Sequence, residues 1–278
     1  MYCAGDLSIQ LMPNRAAYAR TYDMKVQILR VRVESFAAIT VLSRSAYSVV
    51  RRLVMRVYHI LSTEHALSDI ALKRVKIATF DDLNDPFELL SLSHGIDQVR
   101  QAFLEWKREL SKGNGLLCFS KSWESPVLWS HYGAKHTGMA LGFDIDDEIV
   151  EPVRYTDQRT DLPIAGESIE FSEAFMKELL RTKFEHWKYE DEVRVFVQLD
   201  QQTAERGHYF FTFGPRIALR EVILGPLCKI PPNAVCPMVG SLYRDVEVIK
   251  GELAYKWFKV VPGQRYKIVY AQPDGANA

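Results

Sequence analysis

The sequence predicts an α+β fold, on three observations. Short runs of alternating or continuous apolar residues recur through the chain, among them "LLCFS", "MALGFDI", "EVRVFV", "HYFFTF", "LREVILG" and "WFKVV". Such runs, bounded by turn residues, read as strands. Helix-period segments are fewer and interspersed, without the strict alternation that builds a doubly wound sheet. A chain of 278 residues with 47% hydrophobic and 25% charged residues can bury a sizeable core without staples.

Residues 1–54 read as an Arg-rich N-terminal extension, and residues 55–278 as a single α+β domain. The extension has the composition of a targeting presequence, and equally that of sequence translated from a start placed too early. Met55, which opens "MRVYHIL", is the favoured start of the domain.

Within the domain, "VYHIL" is the first strand. Ser62 or Thr63 caps a helix whose apolar face is Leu67, Ile70 and Ala71, with Glu64 in its first turn. "KIATF" is a second strand, and "LNDPFE" a turn, since Pro86 forbids a helix behind it. Ile96, Val99, Phe103, Trp106 and Leu110 mark an amphipathic helix that ends at "KGNG". After "LLCFS", Ser125 caps a short helix with Pro126 at its first position. That helix carries Trp129, His131 and Tyr132, and Gly133 and Gly138 flank its exit. A helix is expected over 167–187, with Phe171, Phe175, Leu179 and Phe184 on its apolar side.

Lys and Arg total 35, as do Asp and Glu, so the formal charge is zero. No global field draws the chain to nucleic acid or to a membrane surface. The Arg-rich segment is the one feature that favours nucleic acid, and neutrality counts against it. No apolar run is long enough to cross a bilayer, so no membrane partner is expected. The four cysteines form no CxxC pair and read as reduced thiols of a cytoplasmic protein. His131 and His136 stand five apart, off the i, i+4 spacing of HExxH, so no metal site is expected. Neither GxSxG nor a phosphate-cradling loop is present.

Three separated features remain: Tyr58-His59 on the first strand, the "CFSKSWESPVLWSHYG" segment, and "YEDEVRVFV". Each has a plain alternative. A strand histidine is commonly a satisfied core residue, and Trp129 and Tyr132 also suit a core. Alternation puts Val193, Val195 and Val197 on the core side, which leaves Glu192 and Arg194 as a surface ion pair of small worth.

From about residue 55 the chain resembles a bacterial family known as domain of unknown function 2971. The resemblance rests on "LNDPFE", "CFS", "LWSHYGAKHTGMALGFD" and "WKYEDEVRVF" followed by "EVILG", and it implies no activity. The order of features also resembles the His-Tyr-Glu class of ADP-ribosyltransferases. His59, Tyr132 and Glu192 fall where that class carries its three residues, and Ser120 where it carries a strand-end serine. That second resemblance implies a split-sheet core of mixed, largely antiparallel strands with flanking helices. It also implies NAD as substrate.

Glu192, or Glu190 two residues before it, would stabilise the oxocarbenium-like sugar. If the two carboxylates crowd each other, one should resist ionisation. His59 would donate a hydrogen bond to a ribose hydroxyl, and Tyr132 would stack on nicotinamide. Tyr58, Ser120 and His131 are further candidates for the dinucleotide, and Asn84, Asp85, Glu88 and Arg194 for the rest of the cleft. The implied activity is ADP-ribosyl transfer or NAD hydrolysis, as in a defence or toxin-like effector, toward an unidentified macromolecular or small-molecule acceptor. The competing expectation is a non-catalytic sensor or interaction domain.

Overall fold

The structure, a computed structural model, describes residues 53–85, 87–88, 92–93, 97–161, 164–165, 168–169, 173–200 and 204–266, with the pairs 7–8 and 30–31. Apart from those two pairs, the expected N-terminal extension lies outside the described residues until Leu53.

The domain is α+β. It opens with strand β1 (Val54–Leu61), helix α1 (Thr63–Leu72) and strand β2 (Arg74–Ile77). Helix α2 (Asp97–Gly113) then leads into β3 (Asn114–Ser120), the short helix α3 (Pro126–His131) and β4 (Met139–Asp146). Two brief strands, β5 (Glu151–Pro152) and β6 (Arg154–Thr156), precede α4 (Glu173–Leu180), β7 (Thr182–Phe184) and β8 (Glu192–Gln198). The chain closes with β9 (Tyr209–Thr212), β10 (Ile217–Leu224), α5 (Pro232–Leu242), β11 (Glu247–Leu253) and β12 (Val260–Tyr266).

Eight strands form one sheet in the order β12-β11-β10-β4-β1-β3-β8-β5. Its one parallel pair is β10 with β11. The feature that matters for function lies between β1 and β3. β1 pairs with β4 from Val54↔Asp146 to Leu61↔Met139, but meets β3 at the single pair Tyr58↔Ser120. β3 then pairs with β8 from Glu192↔Ser120 to Gln198↔Asn114. The sheet is two arms joined at one residue, and it forks there.

One face of the sheet carries the main core. Val57, Leu141, Phe143, Val193, Val195 and Val222 pack there against Ala66 and Ile70 of α1 and Val235 and Val239 of α5. On the other face, α2 and α4 bury Phe103, Leu110, Leu179 and Leu180 against Leu116. Trp129 of α3 sits with Ile60, Ala140 and Ile223 over the other arm.

Several elements differ from expectation. In α1, Ser62 is the cap, its Oγ accepting from His65 N–H. Ala66 and Asp69 join Ile70 in the buried face, while Ala71 is exposed. Of the helix expected over 167–187, the described residues show α4; Phe171 lies outside the described residues. Thr182 Oγ donates to Glu178 O at 2.7 Å and ends the helix. The chain then extends as β7 beside β6 in parallel register, which leaves Phe184 43% exposed but carries Lys183 inward. "HYFFTF" pairs with β2 outside the main sheet. "WFKVV" becomes strand only at Val260, with Trp257 and Phe258 exposed before it. Helix α5 was not foreseen, because Pro237 sits inside it and proline normally argues against a helix interior.

Gly138 is a packing requirement. A Cβ there would stand 2.2 Å from Leu61 O and 2.9 Å from Gly133 O. Gly138→Ala is expected to cost about 1–3 kcal/mol, as overpacking does. Urea denaturation would show it as a lower midpoint with an unchanged slope.

Candidate functional site

The fork between β1 and β3 opens a cavity of about 190 Å³. Tyr58, His59 and Ile60 face it from β1, and Cys118, Phe119 and Ser120 from β3. Asp82, Leu83, Asn84 and Glu88 come from the turn after β2, Leu128 and Tyr132 from α3 and its exit, and Lys183, Glu190 and Glu192 from the far arm. Eight of the residues singled out in the sequence therefore share this hollow: Tyr58, His59, Asn84, Glu88, Ser120, Tyr132, Glu190 and Glu192.

Three others do not line it. His131 is exposed and stacks on Tyr189, with centroids 5.9 Å apart; one step along a helix turns a side chain to another face. Asp85 is buried and shapes the turn, its Oδ1 accepting from Phe87 N–H at 2.9 Å. Arg194 lies behind the wall, 1% exposed, which overturns the expectation of a surface ion pair with Glu192.

His59 is held by Nδ1, 3.0 Å from the Cys118 carbonyl. A carbonyl only accepts, so Nδ1 carries the proton. Burial lowers the imidazole pKa, so the ring is neutral and Nε2 offers a lone pair. His59 is thus an acceptor toward the cavity, where a donor was expected. Burial pushes the Cys118 thiol pKa well up, as befits an inert thiol. Ser120 bonds locally, donating from Oγ to Ser122 O at 2.7 Å.

Tyr132 caps α3 from its C-terminal side. At the other end Ser125 holds the N-cap position but makes no side-chain cap bond. The exit turn places Ala134, Lys135 and His136 at φ of 47°, 56° and 70°, a left-handed run that costs about 1–2 kcal/mol per residue. Bonds from His136 N to Trp129 O and from Gly138 N to Gly133 O hold it closed. The turn fixes Tyr132 at the cavity, where its hydroxyl accepts from Asn84 Nδ2 at 2.5 Å and donates to Glu190 Oε1.

"YEDEV" is not one continuous strand. Glu190 ends a 3-10 helix (Glu185–Glu190), Asp191 adopts φ 42° and ψ 52°, and β8 begins at Glu192. Asp tolerates the left-handed region better than most residues. The kink turns both glutamates onto one cation that sequence reading missed. Lys183 Nζ donates to Glu190 Oε2 at 2.6 Å and to Glu192 Oε2 at 3.1 Å, and lies 3.0 Å from Glu88 Oε1. Behind it, Arg194 donates to Glu192 Oε1 and Oε2 at 2.8 and 3.1 Å, to Glu88 Oε2 at 2.6 Å and to Leu180 O at 2.8 Å. Tyr155 Oη accepts from Glu192 N–H at 2.8 Å.

The two glutamates are driven apart. Burial pushes the Glu192 carboxyl up, but Arg194 and Lys183 together pull it down to about 2. Burial raises Glu190, and its bonds to Lys183 and Tyr132 only partly offset that. Burial disfavours the Lys183 ammonium, yet its three carboxylates raise its pKa on balance. The Tyr132 phenol is pushed up by burial and then by Glu190. The arrangement provides one fixed anion, one carboxylate poised to exchange a proton, a neutral imidazole acceptor and a phenol face. Among the described residues no group of three or more His, Cys, Asp or Glu side chains is arranged to hold a metal ion, and no helix is long and apolar enough to cross a membrane. Comparison with family models, curated proteins and solved structures finds no match for this chain.

Removing one member of the buried network strands the others. Arg194→Met is expected to lose about 3–5 kcal/mol in urea denaturation, because it removes the buried guanidinium that bonds Glu192 and Glu88. Glu192 also sets a pH dependence. Its folded pKa lies below the ordinary 4.5, so its stabilisation is complete above that value and is lost as pH falls toward 2. Stability measured across this range should fall less steeply in Glu192→Gln than in the parent.

Proposed function

We propose that this chain cleaves the glycosidic bond of NAD, passing ADP-ribose to an acceptor nucleophile or to water. The observation that carries the reading is convergence. His59, Tyr132 and the Glu190/Glu192 pair come from remote parts of the sequence and face one cavity at the fork of the sheet. The fork itself suits the split-sheet architecture that the resemblance to His-Tyr-Glu ADP-ribosyltransferases implies, and that assignment is part of the proposal.

The chemistry fits the side chains. The nicotinamide of NAD is a pyridinium cation, and the cavity is lined by Asp82, Glu88, Glu190 and Glu192, with Lys183 already neutralised. At about 190 Å³ the hollow is smaller than the ~300–1,000 Å³ usual for drug-sized ligands. It therefore takes the nicotinamide and part of its ribose, and leaves the pyrophosphate and adenosine outside the acidic wall. The Tyr132 face meets the ring. His59 Nε2 accepts from a ribose hydroxyl. In the reaction the bond from C1′ to the ring nitrogen breaks, and its electron pair neutralises the pyridinium. The acceptor lone pair forms the new bond to C1′, and its proton passes to a carboxylate. An ionised glutamate lowers the energy of the cationic sugar between these events.

The competing reading, a binding or sensor domain without turnover, draws on the saturation of the Glu192 carboxylate by Arg194 and Lys183. Two measurements separate them. NAD at a hundredfold excess over its dissociation constant should stabilise the protein by about 2.7 kcal/mol in thermal denaturation under either reading. Nicotinamide release should accompany it only if the chain is catalytic, and should fall by about a hundredfold or more in the Glu190→Gln, Glu192→Gln double variant. A shift without release favours the sensor; neither shift nor release removes NAD.

A further inference from the structure

Resting on that reading, we infer that Lys183 is a positioning residue: together with Arg194 it fixes Glu192 as the standing anion, and it presents Glu190 as the carboxylate that takes the acceptor's proton. The geometry separates the two acids. Both oxygens of Glu192 are engaged by Arg194, and one of them also by Lys183. Three of its roughly four acceptor directions are already taken by cations, so it is the poorer acceptor for an incoming hydroxyl. Glu190 has a cation on Oε2 only, while Oε1 meets the Tyr132 hydroxyl, a group that both donates and accepts.

The charge count points the same way. Glu88, Glu190 and Glu192 are three carboxylates around two cations. The buried cluster is one negative charge in excess until one acid is protonated, and Glu190 is the acid with the weakest claim on a cation. When the acceptor X–H attacks, X forms its bond to C1′ and the ring nitrogen leaves with the old bonding pair. The proton of X–H goes to Glu190 and is later released to water. The groups facing Glu190 are Tyr132 from the α3 exit, Lys183 from β7, Glu192 from β8 and Tyr155 from β6, with Tyr189 beside it in sequence. Burial raises the Glu190 pKa and Lys183 offsets it, so loss of the lysine moves its titration to higher pH.

The test compares Lys183→Met with Lys183→Arg, each checked for folding by its denaturation curve. A Glu88→Gln, Lys183→Met double variant keeps the charge excess unchanged should the single variant not fold. Carbon-13 carboxyl titration without ligand, with Glu190 assigned through Glu190→Gln, is expected to show the Glu190 midpoint about one pH unit or more higher without the lysine. The arginine variant should stay close to the parent. Nicotinamide release from NAD should then fall at pH values between the parent and the displaced midpoint and recover as pH rises past the displaced one, a rescue that lost packing does not give. An unmoved Glu190 midpoint in a folded variant, or a loss of release equal at every pH, overturns the inference. If the parent neither binds NAD nor releases nicotinamide, the NAD reading fails, and the carboxyl titration alone decides the role of Lys183.

Discussion

The site depends on two buried cations shared among three buried carboxylates. Isolated charges in a protein interior cost several kcal/mol each after relaxation, so Lys183, Arg194, Glu88, Glu190 and Glu192 persist only as a set. The set ties together separate parts of the chain. Glu88 belongs to the turn after β2, Lys183 to β7, Glu190 to a 3-10 helix and Arg194 to β8. The set goes with a helix that ends at Leu180 and with a left-handed residue, Asp191, between two glutamates. The cavity wall is the visible side of this network.

The fork supplies the other half. Strands that pair along their whole length leave no hollow between them, and a single shared pair, Tyr58↔Ser120, lets the two arms diverge. Tyr58, Ser120 and Glu192 lie in one row across β1, β3 and β8. The acidic start of "EVRVFV" thus stands beside the end of "LLCFS" at the point of divergence. An acid at a strand entrance need not be a solvated edge. Here it is 5% exposed because the fork brings a second arm and two cations over it.

Much of this was legible in residue patterns, and the reasons are local. Short apolar runs, alternating in β8 and continuous in β3, located β1, β3, β4, β8 and β10, since such runs are a property of neighbouring residues. The turn chemistry of "LNDPFE" was readable from Asp85 and Pro86, and Asn84 and Glu88 proved to face the cleft. Lys183 was hidden because "RTKFEHW" reads on as amphipathic helix. Nothing local states that Lys183 will turn inward to Glu190 and Glu192 across the kink, or meet Glu88 from the turn after β2. The one available signal was arithmetical: four candidate carboxylates, Asp85, Glu88, Glu190 and Glu192, stood with Arg194 as their sole candidate cation. The donor role expected of His59 failed for a similar reason, because its ring is oriented by a carbonyl 59 residues away. Sequence placed Glu190 and Glu192 on one side of an ideal strand; they do converge, but through a kink at Asp191.

The most direct measurement is saturation-transfer difference NMR with NAD, which reports which ligand protons touch protein. The proposed fit of the cationic end alone predicts that the nicotinamide ring and its adjoining ribose receive most of the saturation and adenine the least. Tyr132→Ala should abolish the pattern. Saturation centred on adenine, or a pattern unchanged in Tyr132→Ala, would contradict the account.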